Sequence, residues 1–368
     1  MPELPGLAGL LRSAAGLLTS PLGLDDYLGL LDPLLCVRRP AGRVTAVRPE
    51  TPDATTLAIR PGRGWSGHRA GQYLPVGVEI DGMWHWRTYS LTCPPGGRNG
   101  LLTITVKATP GGRVSPLLAH GTMPGALLRL GPAQGDFTLP CSLPARLLMI
   151  TGGSGITPVM GLLRSLARSR TGASQPDVTL LHHAPSARDS IFHDELLAME
   201  RELPWFRLHE QHTRSGPGPG ARLTPERLVH LCPDWRERET WACGPATLLD
   251  SVEGHWERAG LGDRLHVERF RLAPVLPPGP DGEAGSRVLF TRTGAEATGH
   301  AATPLLAVGE AAGVRMPYGC RRGICFGCLT PVTYGRIRDL RTGELRDRTG
   351  QLIQTCVSAA AGPLALDA

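Results

Sequence analysis

Four cysteines in the last part of the chain place the tightest constraint on its fold. Three follow the spacing C-x4-C-x2-C and the fourth comes after 27 intervening residues: Cys320, Cys325, Cys328 and Cys356. Three thiolates from one tight loop and a fourth from a distant segment are the arrangement that holds a [2Fe–2S] cluster. Gly319, Gly323 and Gly327 would let the backbone close around inorganic sulfide, since glycine accepts unusual φ angles. A zinc site is the alternative, but zinc sites usually pair two C-x2-C hooks and this loop has one.

Composition limits the remaining possibilities. The other five cysteines show no disulfide-like framework, which favours a reducing cytosol: Cys36, Cys93, Cys141, Cys232 and Cys243. The formal net charge of +6 is carried almost wholly by arginine, and Lys107 is the only lysine. No basic run with interleaved aromatic residues occurs, so no nucleic-acid partner is expected. No apolar run reaches the length of a membrane span, about 18 residues, and the N-terminus lacks the charged segment of a signal peptide. These features predict a cytoplasmic protein.

Residues 1–40 predict a helical leader, because leucines recur at helical spacing. Ser20-Pro21 ends its first segment. Such a leader could lie on a membrane surface or dock a partner. A helix packed on the protein's own next domain is favoured, because membrane-surface helices usually carry several basic residues and this segment has only Arg12. Peripheral contact with the inner face of the membrane stays an open alternative.

Residues 41–143 have the pattern of short β-strands. The predicted strands are Arg43–Val47, Thr55–Ile59, Tyr73–Ile80, Trp84–Ser90 and Leu101–Lys107. Their spacing between Pro, Gly and Asp clusters predicts an antiparallel barrel. Two polar stretches, Arg87–Thr92 and Lys107–Ser115, offer the aromatic, hydroxyl, cationic and backbone N–H groups that a flavin dinucleotide needs. For the first stretch, an ordinary strand with a surface arginine is the alternative.

Residues 144–271 alternate strands with helices, which predicts a parallel sheet with a ligand at its carboxyl edge. The buried strand Leu147–Ile150 runs into the glycine turn Thr151–Pro158. A glycine turn between a strand and a helix is suited to hold dinucleotide phosphates. Thr157 is predicted to cap the helix that follows, with Pro158 at the first helical position.

The pattern continues toward the C-terminus. Further elements are predicted at Val178–Leu181, Asp194–Glu202, Phe206–His209, Thr240–Ala242 and Leu265–Glu268. His182 and His183 are adjacent on a strand, point to opposite faces and are not expected to chelate a metal. The segment Cys243-Gly244-Pro245 opens another helix. Residues 272–285 predict a Pro/Gly linker, and residues 286–368 form the domain that holds the cysteine loop.

Taken in this order, the stretches RTYSLT, GGSGITP and CGP and the cysteine loop resemble the ferredoxin–NADP⁺ reductase family with a plant-type ferredoxin fused at the C-terminus. The chain with its leader is also similar to actinobacterial ferredoxin reductases that serve stearoyl-CoA desaturases. The resemblance implies an antiparallel FAD-binding β-barrel at 41–143, a parallel α/β NAD(P)-binding domain at 144–271 and a β-grasp ferredoxin domain at 286–368. The implied cofactors are FAD and a [2Fe–2S] cluster, with NADPH or NADH as the substrate.

The resemblance also implies roles at the flavin. Arg87 would hold the FAD pyrophosphate, Tyr89 would flank the isoalloxazine and Ser90 would hydrogen-bond flavin N5. Lys107, Gly112, Val114 and Ser115 match the second FAD-binding stretch of the family. Glu268 and Phe270 match the terminal E-x-aromatic motif, whose ring covers the flavin in plant-type members, although here the Phe is not C-terminal. The implied catalytic residues are Ser90, Cys243 and Glu268.

The resemblance also implies roles at the nucleotide. Gly152, Gly153, Gly155 and Thr157 match the turn that binds the NAD(P) pyrophosphate in the family. Cys243 matches the cysteine beside the nicotinamide C4, and Gly244 and Pro245 match its backbone. A small buried thiol is the alternative for this cysteine. Ser186 and Arg188 could meet a 2′-phosphate, which favours NADPH, while an exposed loop arginine is the alternative.

These features predict a reductase that carries electrons from NAD(P)H through FAD and the cluster to a separate acceptor. A flavin couples a two-electron donor to a one-electron cluster. The preferred acceptor is a membrane fatty-acyl desaturase, and the runner-up is a soluble oxygenase, such as a Rieske-type or ketosteroid hydroxylase. A hypothesis of another class is a redox-sensing binding module, which needs no turnover.

The last domain is basic. Residues 286–368 carry ten arginines and six acidic residues, a formal charge of +4, and Arg321 and Arg322 lie inside the cysteine loop. This balance predicts docking on an acidic partner surface or an anionic membrane face. A solvated basic rim is the alternative.

Overall fold

The computed structural model describes residues 24–37, 39–81, 83–169, 175–214, 223–270, 285–319, 321, 323 and 327–368. Most of the predicted leader therefore lies outside the described residues. Its last part forms helix α1, Leu24–Leu31, and a 3-10 turn, Pro33–Leu35, which Asp32 caps through a hydrogen bond from the Leu34 backbone N–H. All but the last residue of the predicted linker, and the predicted ligands Cys320 and Cys325, also lie outside the described residues.

The chain divides into two compact units. The first comprises residues up to Leu74 together with Tyr89–Glu268, and the second comprises Pro75–Thr88 together with Arg269–Ala368. The domain boundaries that the sequence suggests stay a prediction. No helix of the described segments is long and apolar enough to cross a membrane.

Six antiparallel strands form the first sheet, in the order β4-β3-β6-β1-β2-β5. The strands are β1 Ala41–Thr51, β2 Ala54–Pro61, β3 Tyr73–Ile80, β4 Met83–Ser90, β5 Leu102–Lys107 and β6 Leu127–Leu130. Strands β2 and β5 are neighbours in this sheet. Leu57 on β2 lies opposite Ile104 on β5, and both side chains are fully buried. A short helix α2, Val114–Pro116, follows β5 and continues into a π turn, Leu117–Gly121. The prediction of an antiparallel FAD-type domain is confirmed.

Five parallel strands form the second sheet, in the order β11-β10-β7-β8-β9. They are β7 Arg146–Gly152, β8 Asp177–Ala184, β9 Phe206–His212, β10 Glu239–Cys243 and β11 Leu265–Glu268. The helices between them are α3 Ile156–Arg168, α4 His193–Glu202, α5 Pro225–Leu231 and α6 Ala246–Arg258. Helix α6 ends at Arg258, and Gly260 just beyond its last turn adopts a φ of +68°, a conformation common after helix C-termini.

Both faces of this sheet are covered, which explains the unbroken apolar run Leu147–Ile150 in β7. Leu147 and Met149 belong to the core that includes residues of α3 and α4. Leu148 and Ile150 point the other way and join a core with residues of α5 and α6. The prediction of a parallel α/β domain is confirmed.

The predicted cap of α3 is wrong by two residues. Gly155 occupies the N-cap position, because Gly153–Gly155 form a 3-10 turn that leads directly into the helix at Ile156. Thr157 is the second helical residue, and its hydroxyl donates to the Ser154 carbonyl at 2.9 Å. The helix therefore begins two residues earlier than the sequence pattern suggested.

The C-terminal sheet has the order β13-β12-β17-β14-β15, with β16 paired to β14. Its elements are β12 Ser286–Phe290, β13 Ala295–Gly299, α7 Leu305–Ala311, β14 Leu329–Asp339, β15 Leu345–Asp347, β16 Leu352–Gln354 and β17 Ser358–Leu366. Strands β12 and β17 are parallel, and the pairs β12–β13, β14–β15, β14–β16 and β14–β17 are antiparallel. One helix packs on this mixed sheet through Leu305, Leu306 and Val308, as expected for a ferredoxin domain.

Candidate functional site

Two turns predicted to bind nucleotide lie against each other at the carboxyl edge of the parallel sheet. Strands β7 and β10 are neighbours, with Thr151 opposite Cys243. A Cβ atom on Gly155 would lie 2.1 Å from the Cys243 carbonyl oxygen, and one on Gly152 would lie 2.8 Å from Pro245 Cδ. Only glycine permits this approach of the two backbones. The structure thus brings together the residues of both predicted turns: Gly152, Gly153, Gly155, Thr157, Cys243, Gly244 and Pro245.

The outer side of the first turn is open. Gly153 has a φ of +54°, and no described atom lies within 4 Å of the position that its Cβ would take. Backbone N–H groups of such a turn, directly before a helix N-terminus, are suited to bind phosphate oxygens. The turn therefore fits the pyrophosphate of a dinucleotide.

Cys243 and Glu268 lie next to each other on adjacent strands, because they are opposite each other in the register of β10 and β11. Burial raises the pKa of Glu268 to about 8, and its Oε2 atom is buried without a hydrogen-bond partner in the described part of the chain. Burial, and then the charge of Glu268, raises the pKa of the Cys243 thiol well above its ordinary value. At neutral pH this thiol is protonated, so it is not a nucleophile.

Ser90 lies at the end of β4 and is buried. Its Oγ atom has no hydrogen-bond partner among the described residues. A buried hydroxyl without a partner carries a free-energy cost of about 1–3 kcal/mol, which a bound ligand would relieve. The unpaired hydroxyl fits the predicted hydrogen bond to a flavin ring nitrogen. Tyr89, beside it, is partly buried.

Two predicted FAD-binding cations already have partners. Lys107 Nζ bonds Asp53 Oδ1 at 2.8 Å. In the second unit, Arg87 Nη1 donates to the carbonyls of Trp86, at 2.7 Å, and Gly319, at 3.1 Å. The sequence did not predict a role for Asp53. Its position at the turn between β1 and β2 carries no signal of a pairing with a residue 54 positions away.

The remaining members of the second FAD stretch form one compact turn. Gly112 precedes α2, Val114 begins it and is buried, and Ser115 Oγ accepts a hydrogen bond from the Thr109 backbone N–H at 3.0 Å. Phe270 is 41% exposed, so its stacking on a flavin stays a prediction.

The loop predicted to recognise a 2′-phosphate is less favourable than its sequence suggested. Arg188 is exposed, which fits either a 2′-phosphate contact or the alternative of an exposed loop arginine. Ser186 Oγ, however, donates to Asp189 Oδ2 at 2.6 Å. The Asp189 carboxylate places a negative charge on the same turn, which disfavours a bound phosphate there.

His182 and His183 are both buried but bond different atoms of Thr151. His182 Nδ1 lies 2.7 Å from the hydroxyl, and His183 Nδ1 lies 3.2 Å from the backbone carbonyl. Burial lowers the pKa of His182 to about 4, so it is neutral at physiological pH. Within the described ranges, no three metal-binding side chains come together; those ranges do not include Cys320 and Cys325.

The two described cysteines of the predicted cluster lie together in the second unit. Cys328 and Cys356 are buried, with Sγ atoms 3.2 Å apart. A disulfide would need an S–S distance of about 2.05 Å, so these two cysteines do not form one. The Gly323 backbone N–H donates to Cys356 Sγ at 3.2 Å. Buried sulfur atoms that accept backbone N–H bonds fit thiolate ligands of an iron–sulfur cluster.

The glycines of this loop are required by close neighbours. A Cβ on Gly327 would lie 2.9 Å from Trp86 Cδ1, and one on Gly323, whose φ is +72°, would lie 2.9 Å from Val357 Cγ2. Both positions lie beside predicted ligands, which agrees with a backbone that closes tightly around a cluster.

Much of the positive charge of the second unit is paired. The ion pairs among its described residues include Arg287–Glu296, Arg292–Asp367, Arg321–Glu310, Arg341–Asp339 and Arg346–Glu344. Arg321 also lies 4.7 Å from the centre of the Tyr318 ring. These pairs are largely exposed and weak, yet they reduce the free basic surface on which the docking prediction rests.

Comparison with known proteins agrees with this arrangement. An oxidoreductase FAD-binding domain family matches residues 57–139, an oxidoreductase NAD-binding domain family matches 149–253, and a 2Fe-2S iron-sulfur cluster binding domain family matches 290–361. A solved structure of phthalate dioxygenase reductase is similar in fold, with a TM-score of 0.56, 24% identity, and coverage of 89% of this chain and 97% of that one.

Two curated relatives cover most of the chain. An NADPH oxidoreductase of Mycobacterium tuberculosis (strain ATCC 25618 / H37Rv) is 46% identical, over 97% of this chain and 92% of the relative. A glycine betaine monooxygenase reductase subunit of Pseudomonas aeruginosa is 29% identical, over 81% of this chain and 87% of the relative. The chain therefore belongs to the ferredoxin–NADP⁺ reductase family of flavoproteins, in the branch with a C-terminal [2Fe–2S] domain. It is an NAD(P)H-dependent oxidoreductase with FAD and a [2Fe–2S] cluster as cofactors.

Proposed function

We propose that this protein takes electrons from NADPH and delivers them to a separate oxygen-activating enzyme. The observation that supports this most is the presence in one chain of FAD-binding, NAD-binding and [2Fe–2S] domains. The buried pair of Cys328 and Cys356, with Sγ atoms 3.2 Å apart, would give the last domain two of the cluster's ligands. The bound flavin supplies the exchange between hydride and single-electron chemistry.

Two classes of acceptor are candidates. A fatty-acyl desaturase at the inner face of the membrane is the acceptor that the resemblance of the whole chain favours. A soluble oxygenase is supported by relatives whose names are reductase subunits of glycine betaine monooxygenase and of stachydrine N-demethylase, at 29% and 28% identity. Both acceptors use electrons to activate oxygen, so the same donor chemistry serves either.

The chain's own residues would share the work at the flavin and the nucleotide. The unpaired Ser90 hydroxyl would bond the flavin, and Glu268, protonated near neutral pH, could donate or hold a proton at its carboxyl. Cys243 would line the nicotinamide site as a small neutral thiol. Arg87 and Lys107 would reach the FAD phosphates only by exchanging their present partners.

NADPH is preferred over NADH in this proposal. The relative at 46% identity is named an NADPH oxidoreductase. Arg188 is exposed on the loop after β8, where it could pair with a 2′-phosphate. Asp189 opposes this preference, so its size should be modest.

The proposal is tested by reconstitution. The FAD- and cluster-loaded protein is mixed with NADPH or NADH and with a purified desaturase or Rieske-type oxygenase, and the product of the acceptor is measured. We expect product from one acceptor class, faster with NADPH. Rapid reduction of ferricyanide without product from either class would support the reductase activity but show that the acceptor belongs to another class. Absence of any NAD(P)H turnover would contradict the proposal and favour a redox-sensing module.

A further inference from the structure

Arg164 joins the nucleotide-binding helix to the end of the predicted flavin strand. It lies on α3, which begins directly after the nucleotide turn. Its Nε and Nη2 atoms bond the two carboxylate oxygens of Glu195 on α4, at 2.8 and 2.6 Å. Its Nη1 atom donates to the Thr92 carbonyl at 2.7 Å. Thr92 is two residues beyond Ser90, so one side chain ties α3 and α4 to the end of β4.

Next to this contact the two backbones touch. A Cβ on Gly161, one turn before Arg164 on α3, would lie 2.5 Å from the Leu91 carbonyl oxygen. Residues three apart lie on the same face of a helix, so Gly161 and Arg164 both meet the Leu91–Thr92 segment. The first makes a close contact without a side chain, and the second adds a directed polar contact. Together they leave the strand end little freedom to slide along the helix.

The surroundings of Arg164 favour a fixed position. Its side chain is only 16% exposed, and its guanidinium carbon lies 4.9 Å from the centre of the Phe192 ring. Arg48 Nη2, 3.9 Å from Glu195, is the other cation near this carboxylate. A planar guanidinium can bond a carboxylate and a carbonyl at the same time, whereas a lysine ammonium offers no such fork.

We infer that Arg164 is a positioning residue, which holds the Ser90 end of β4 in register with the nucleotide turn. This inference rests on the proposed function, because alignment matters only if the flavin and the nucleotide react. A misplacement of about 1 Å far from the chemistry can slow a reaction about 100-fold. Arg164 would thus act on the rate of flavin reduction and hardly on the binding of either ligand.

The test compares Arg164→Gln and Arg164→Lys with wild type and with Arg201→Gln, a change at an exposed arginine of α4. Hydrogen–deuterium exchange of the segment 89–93 reports the contact itself. Stopped-flow absorbance gives the rate of flavin reduction at saturating NADPH, and titration with NADP⁺ gives its Kd. For both Arg164 variants we expect faster exchange in this segment, reduction slowed about tenfold or more, full FAD content and a Kd within about twofold of wild type. Arg201→Gln should match wild type.

Unchanged exchange and unchanged reduction in the Arg164 variants would overturn the inference. So would slower reduction that only follows loss of FAD, which would make the role structural. If neither variant folds, Glu195→Gln keeps the bond to Thr92 but weakens the carboxylate pair, and it should show smaller changes of the same kind; no change would count against the inference. If NADPH does not reduce wild type, the proposed function fails, while the exchange measurement still decides the contact.

Discussion

Glu268 carries a proton at neutral pH because its carboxyl group is buried. With a pKa of about 8, the protonated form should exceed the carboxylate about ten to one at pH 7. We expect an infrared band of a protonated carboxyl group that disappears with a midpoint near pH 8 and is absent from Glu268→Gln. A band already absent at pH 7 would show that water or a neighbour stabilises the charge.

The same pKa fixes the direction of a stability change. Between the ordinary value of 4.5 and the folded value of about 8, the folded state binds more protons at Glu268 than the unfolded state. The contribution of this group to the free energy of unfolding therefore falls as pH rises through that window. Relative to Glu268→Gln, the melting temperature of wild type should fall from pH 5 to pH 8 and then level off.

The glycine turn before α3 acts as one element with the turn after β10. Gly155→Ala places a Cβ 2.1 Å from a backbone oxygen, where no flexible side chain can move away. We expect a stability loss of about 1–3 kcal/mol and NADP⁺ affinity reduced at least tenfold, measured by urea unfolding and by titration. Gly262→Ala is the matched control, because its Cβ would meet no described atom within 4 Å and its φ is not positive. Equal behaviour of the two variants would contradict the close packing of the turns.

At the scale of the whole molecule, flavin chemistry and cluster chemistry should be separable. Cys356 lies in the second unit, whereas Ser90 and the nucleotide turns lie in the first. Cys356→Ser should remove the iron–sulfur absorption, keep FAD and ferricyanide reduction, and abolish electron delivery to cytochrome c. Cys141→Ser, at an exposed free cysteine, should behave as wild type. A normal [2Fe–2S] spectrum in Cys356→Ser would remove this residue from the ligand set.

The sequence by itself determined the fold class and, through the cysteine spacing and the family resemblance, the cofactors. Unbroken apolar runs favour a sheet covered on both faces, short strands between Pro and Gly clusters favour an antiparallel sheet, and four cysteines at this spacing favour a cluster. These signals are local in the chain, since each depends on periodicity or on spacing within one segment. For the same reason β11 was predicted at its observed bounds, Leu265–Glu268.

Only the tertiary structure decided which side chains are available to bind a ligand and which are already paired within the protein. The pairing of Lys107 with Asp53 and the bond of Arg87 to Gly319 join residues 54 and 232 positions apart. The raised pKa of Glu268 arises from burial, and burial is a property of packed elements. The contact of Arg164 with Thr92 likewise depends on how α3 packs beside the segment Leu91–Thr92. Charge pairing and desolvation act through space between segments that are distant in the chain. The periodicity and spacing of residues in the sequence therefore do not predict them.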